Sequence, residues 1–211
     1  MADSLFPDER TRLVLEPDCD RCPALVDCRN RIAWGTGPRD ADIVVVGEAP
    51  GAGDPAQERW QGGNYTGMAY TTIHSGRRIR GLFDRLGYDP YYTNAVKCFP
   101  ADGEGSNREP TEAEKRNCRR HLDAELDSVD PAVVVTTGSH ATETMLAFEG
   151  RELAGFVDRV LDPERLSSCD AWLLPVLHPS YQDVWTTRLG YDGDEYEAAV
   201  GDALARLVAA E

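Results

Sequence analysis

Lysine is nearly missing from this chain: of 22 basic residues only Lys97 and Lys115 are lysines, against 37 acidic residues and a formal net charge of -15. Such a balance repels a polyanion over most of the surface at low salt. Any contact with nucleic acid must therefore come from a local basic patch or operate under strong screening. The same composition fits a protein adapted to concentrated salt. Long apolar runs are also missing, since none approaches the roughly 20 residues that span a bilayer. The opening MADSLFPDERTRLVLEPD lacks the basic and apolar regions of a secretion signal. The expectation is a cytoplasmic monomer with no membrane partner. Complete phosphate-binding motifs are missing as well. In VVVGEAPGAGD (44–54) a strand-like run enters a glycine-rich turn, but Gly51 and Gly53 are followed by Asp54, Pro55 and Ala56. No third glycine completes a dinucleotide loop and no Gly-Lys-Ser/Thr completes a P-loop. Glu48 and Asp54 place negative charge where a polyphosphate would sit, so the turn is built for something else.

What the chain does have, for 211 residues, is six cysteines: Cys19, Cys22, Cys28, Cys98, Cys118 and Cys169. Disulfides are disfavoured in a reducing compartment. The CDRC pair, Cys19 and Cys22, brings two thiolates to one metal or cluster, and no thioredoxin-like strand precedes it. Cys98 and Cys118 offer two more thiolates, and Cys169 reads as a small buried hydrophobe.

One domain accommodates the length, with residues 1–38 as a polar lobe organised by a metal centre and 39–211 as an α/β core. ADIVVVG, YYTNAV, PAVVVTTG and WLLPVLH read as strands. SGRRIRGLFDRLG has apolar residues at helical spacing with Gly87 as its stop, and Thr111 with Glu114 opens a second helix that carries Cys118. SHATETMLAF and the tail from Asp194 to Ala210 read as further helices, and residues 52–74 as a long loop. This alternation predicts a three-layer α/β/α domain with a four-stranded parallel sheet. Ligands bind outside the carboxyl ends of such strands, which brings Glu48, Asp54, Asn94 and His178 toward one pocket. Arg77, Arg78 and Arg80 form a local basic cluster suited to phosphate. His74, His121 and His140 read as structural.

GEAPG, YTNAVKC, NREPT with its following Glu, and HPSY, in this order with CDRC ahead of them, resemble the motifs of the iron-sulfur uracil-DNA glycosylases, the type-4 branch of their superfamily. The resemblance implies a four-iron four-sulfur cluster on Cys19, Cys22, Cys98 and Cys118. Cys28 lies close enough to compete, and zinc on the same thiols is the alternative. It further implies uracil-containing DNA as partner. Asn94 would read the base edge, Tyr65 would stack on it, and His178 would donate to O2. Glu48 or Asp54 would orient water or stabilise a sugar cation, with Gly47, Ala49 and Gly51 around them. Ser180 and Tyr181 would enter the groove at the lesion. Ala49 stands where another branch has a catalytic aspartate. The activity implied is hydrolysis of the uracil glycosidic bond. The alternatives are a broader base range including hypoxanthine and ethenocytosine, or a non-catalytic iron-sulfur protein that binds lesions.

Overall fold

The valine-rich runs all enter one sheet, in a computed structural model that describes residues 4–210. Strands β1 (Ile43–Gly47), β2 (Tyr91–Asn94), β3 (Val133–Thr137) and β5 (Trp172–Val176) are parallel and hydrogen bond in the order β2-β1-β3-β5. These are the four strands expected. A fifth, β4 (Glu164–Arg165), adds antiparallel to the outer edge of β5; two residues carry no periodicity by which to foresee it.

Side chains alternate between the faces of a strand, so a continuous apolar run feeds two cores at once. Ile43, Val45, Val133, Val135 and Leu174 pack with Ile79 and Phe83 of α3 (Ser75–Arg85) and with Tyr196, Val200 and Leu204 of α7 (Gly193–Val208). Val44, Val46, Val134 and Leu173 pack with Leu122 and Leu126 of α4 (Glu112–Val129) and with Met145 and Leu146 of α5 (Ser139–Phe148). The result is the expected three-layer α/β/α arrangement. Each fully buried aliphatic or aromatic side chain adds about 1.5–3 kcal/mol of transfer free energy.

Helix starts follow the capping chemistry. Thr111 accepts from the Glu114 N–H while the Glu114 carboxylate accepts from the Thr111 N–H, closing a capping box on α4. Asp192 and Glu195 form a second box on α7, two residues ahead of the expected start. Three short helices were not anticipated: α1 (Pro23–Cys28), α2 (Gly63–Thr66) and α6 (Gln182–Arg188). The stretch 52–74 is correspondingly less open than a loop, with bridges from Gln61 to Thr72 and from Trp34 to Met68. Among the described residues no helix is long and apolar enough to cross a membrane.

Among the described residues, Lys97 and Glu125 form an ion pair in the interior. Lys97 Nζ donates to Glu125 Oε2 at 2.6 Å, and the two side chains are 1% and 0% exposed. The ammonium also donates to Thr93 Oγ1 (2.7 Å) and to the Asn94 carbonyl (2.5 Å). Glu125 accepts in addition from the Thr93 hydroxyl and from the Gly35 N–H. Burying two charges is costly, and removing one partner is worse than removing both. Lys97→Met is expected to lower the unfolding free energy by about 3–5 kcal/mol. Lys97→Met with Glu125→Gln, which keeps an acceptor for Gly35, should recover most of that loss in urea titrations.

Candidate active site

From β1 the chain steps outward to β2 and then returns to the other side of β1 as β3, so the carboxyl ends of β1 and β3 part into a crevice. A cleft of 530 Å³ occupies that place. Gly47, Glu48, Ala49 and Gly51 line it from the turn after β1, Asn94 from the end of β2, and His178, Ser180 and Tyr181 from the turn after β5. Eight of the residues expected at a site are thus brought together.

Glycines set the closest approaches. A Cβ on Gly47 would lie 2.5 Å from Asn94 Oδ1 and 2.8 Å from the Tyr70 hydroxyl, so only glycine lets those groups meet over β1. Gly138 has φ +89°, and a Cβ there would stand 3.0 Å from the Cβ of His178. The turn after β1 is pinned to the turn after β2 by Ala95 N–H to the Gly47 carbonyl and Val96 N–H to the Glu48 carbonyl. It is also clamped by Asn107, whose Oδ1 accepts from the Ala52 N–H.

The electrostatics of the cleft are unequal. Glu48 Oε1 is buried and has no hydrogen-bond partner in the protein. Burial raises the Glu48 pKa above 4.5, against the opposing pull of His140. The Nδ1 of His178 accepts from the Ser180 N–H at 3.2 Å, which leaves the proton of the neutral ring on Nε2. Burial, then the neighbouring His140, lower the His178 pKa below 6.5. His178 is held from behind as well, because the Tyr196 hydroxyl accepts from the N–H of Leu177.

Two expected residues do not face the cleft. Asp54 is exposed and caps its own turn, accepting from the Ala56 N–H and the Gln57 side chain. A local Asx-type bond satisfied by the next residues leaves nothing to pull it inward. Tyr65 lies on α2, whose Gly63 lines the cleft. Tyr65, two residues on in the same short helix, is not among the residues that line the cleft. Tyr70 lines the cleft as Tyr181 does, and its hydroxyl shares a 2.6 Å hydrogen bond with Thr137.

Tyr70, Thr137 and His140 were not foreseen. Tyr70 sits in a polar stretch where several aromatics compete, but TTGSH follows a clear strand, and the strand-end rule would have named Thr137 and His140. Tyr70 has φ +53°, and the side chain of Arg80 donates to its carbonyl. Arg80 also donates to Ala69 O and Thr36 Oγ1 and stacks over Tyr92 at 4.0 Å. At 7% exposure it is no phosphate ligand, which removes it from the expected basic cluster. Arg78 instead ties α3 to the last turn by donating to the Pro179 carbonyl. At the mouth, Tyr181 and Val184 are 62% and 59% exposed, while His140 Nε2 pairs with Glu109 at 3.2 Å.

Beside the cleft, five cysteines gather around Leu25, Ile32, Trp34 and Val96. Four of their sulfurs accept hydrogen bonds: Cys19 from Arg21 (3.1 Å), Cys22 from the Asn117 amide (3.4 Å), Cys98 from Arg29 (3.2 Å) and Cys118 from the Lys97 N–H (3.2 Å). The fifth, Cys28, points at the Ala24 and Phe99 carbonyls (3.1 and 3.2 Å), where a sulfur must donate and keep its proton. The donor set that fits a four-thiolate centre is therefore Cys19, Cys22, Cys98 and Cys118. Burial pushes the Cys98 thiol up and the Cys118 thiol to about 12, so their thiolate forms call for a positive centre alongside. Glu16 and His121 bring ligand atoms within 4.8 Å of the Cys19 sulfur and of each other. The Arg21 guanidinium already donates to both Glu16 and Cys19.

The model of the uracil DNA glycosylase superfamily matches residues 34–205. A type-4 uracil-DNA glycosylase of Thermotoga maritima is 30% identical over 168 residues, 77% of each chain. One of Saccharolobus solfataricus is 32% identical over 124 residues, 59% of this chain and 52% of that protein. One of Sulfurisphaera tokodaii is 29% identical over 136 residues, 64% of this chain and 57% of that protein. The chain thus spans little more than half the length of the latter two. With a match over most of its length and a cleft at the switch point of its sheet, the chain belongs to the uracil DNA glycosylase superfamily, on the side of its type-4 members.

Proposed function

We propose that this protein excises uracil from DNA, hydrolysing the bond between uracil N1 and the deoxyribose C1' to leave an abasic site. The observation that carries this reading is the convergence of three groups in one cleft: the Asn94 amide, the unbonded Glu48 oxygen, and a His178 ring whose Nδ1 is already occupied. Asn94 offers an acceptor to uracil N3–H and a donor to O4, a pattern that cytosine reverses. Tyr70, rather than Tyr65, supplies the stacking face for a flipped base. As the glycosidic bond breaks, its electron pair leaves with uracil, and His178 Nε2–H donates to O2 where charge develops. Glu48 holds the water that attacks C1' and accepts its proton. The carboxylate also favours the cation-like sugar. With Asp54 turned outward and Ala49 lacking a carboxylate, Glu48 is the group suited to that task.

Cys19, Cys22, Cys98 and Cys118 would hold a four-iron four-sulfur cluster, which supplies a covalent cross-link between the N-terminal lobe of residues 1–38, the turn after β2 and α4 rather than a reactive centre. Cys28 stays a thiol. Tyr181 and Ser180 at the mouth suit entry into the DNA groove at the lesion. The net charge of -15 supports action in concentrated salt, where phosphate contacts count for less.

The deciding measurement is uracil release from a single-uracil oligonucleotide, alone and paired with guanine, across low to molar KCl. Release is expected, and Asn94→Ala and His178→Ala should each lower kcat/KM by about 100-fold or more, whereas Asp54→Asn should change it less than about twofold. Binding without release in iron-loaded, folded protein would favour a lesion-binding protein, and zinc without iron would exclude the cluster. Glu48 must be ionised and His178 neutral, with pKa values shifted up from 4.5 and down from 6.5 respectively. kcat/KM is accordingly expected to fall as pH is lowered, with the Glu48 limb displaced upward from the ordinary carboxylate range and the His178 limb downward from the ordinary imidazole range. Serine at any of the four ligand cysteines should remove iron on purification, and Cys28→Ser should retain it.

A further inference from the structure

We infer that Lys97 is the positioning residue for base reading, acting through the main chain of Asn94. The inference rests on the proposed uracil-reading role of Asn94. Each polar group of Lys97 grips a different part of the molecule. Its N–H donates to the Cys118 sulfur on α4, and its carbonyl accepts from Ala33 in the N-terminal segment (2.7 Å). Its ammonium spends all three protons on Thr93 Oγ1, the Asn94 carbonyl and Glu125 Oε2.

The bond to Asn94 is the consequential one. At 2.5 Å a buried cation fixes the peptide plane that follows Asn94, and with it the direction in which the Asn94 side chain leaves β2. Gly47, beneath the Asn94 Oδ1, offers no side chain to hold the amide. A strand end normally frays, because its last carbonyl lacks a ladder partner. Here the ammonium supplies that partner, and Glu125, reached from α4, holds the ammonium in turn. Lys97 never touches the base and is not a catalytic residue. It restricts the orientations that Asn94 samples, and a reader that swings cannot discriminate between two base edges.

The test is the affinity ratio for two duplexes that differ only at one position, 2'-fluoro-2'-deoxyuridine or 2'-fluoro-2'-deoxycytidine opposite guanine, measured at fixed salt. The proteins are the iron-loaded wild type, Asn94→Ala, the pair Lys97→Met/Glu125→Gln, and the three changes combined. The paired variant removes one charge of each sign and keeps the backbone N–H on Cys118, so iron content and melting temperature are followed as controls. The uracil preference is expected to fall by about tenfold in Asn94→Ala and in the paired variant, the worth of one charge-assisted hydrogen bond. No further fall is expected when they are combined. Equal weakening toward both duplexes with the ratio intact, or additive losses in the combined variant, overturns the role of Lys97. A wild type without preference for uracil overturns the reading of Asn94 itself, and this inference with it.

Discussion

A buried ammonium holds the end of the edge strand β2, and the candidate cleft is assembled beside that end. Lys97 lies between the sheet, the cysteine centre and α4, and every polar atom it owns is used. Its desolvation is offset only because Glu125, Thr93 and a carbonyl are all in place at once, which makes the arrangement all-or-none. The two turns that carry Glu48 and Asn94 are fastened to each other by consecutive backbone hydrogen bonds, so order at one is shared by the other.

The cleft combines groups tuned in opposite directions. Glu48 is pushed toward its neutral form by burial, and His178 is pushed toward its neutral form by burial and by a second histidine. Both shifts have the same leading cause, burial of the two side chains. A carboxylate with an unbonded oxygen and an imidazole whose Nδ1 is already occupied line the same cleft, and on the proposed reading they meet charge that appears during the reaction. On the proposed reading, the acidic turn after β1 that is unsuited to polyphosphate would instead face a cation-like sugar. Arg80 is spent on holding Tyr70, and Tyr181 and Val184 are exposed at the mouth.

Much of the fold was legible because its signals are local. Unbroken Val runs mean strands buried on both faces, the Thr111–Glu114 pair means a helix start, and their alternation means a parallel sheet. Strand ends then place Glu48, Asn94 and His178 by rule. Asp54 has the chemistry of a catalytic carboxylate, and the structure shows it bonded within its own turn, to residues two and three positions on. For Tyr65 and Tyr70 the obstacle was different. Both lie in an aperiodic stretch, and which ring reaches the cleft depends on a four-residue helix and on a left-handed residue pinned by Arg80 from another helix.

By itself the sequence determined the layers, the strand ends, the family motifs and the inventory of thiols, since each depends on residues near in the chain or on periodicity. Only the tertiary structure decided which of those groups share a space. It separated Cys28 from the four accepting sulfurs by setting it against the Phe99 carbonyl 71 residues away. It turned Arg80 from a surface cation into a buried clamp, and placed the Lys97 charge on the Asn94 carbonyl. The physical reason is common to all three: the role of a polar side chain is fixed by the partners that satisfy it once water is removed, and those partners come from distant parts of the chain.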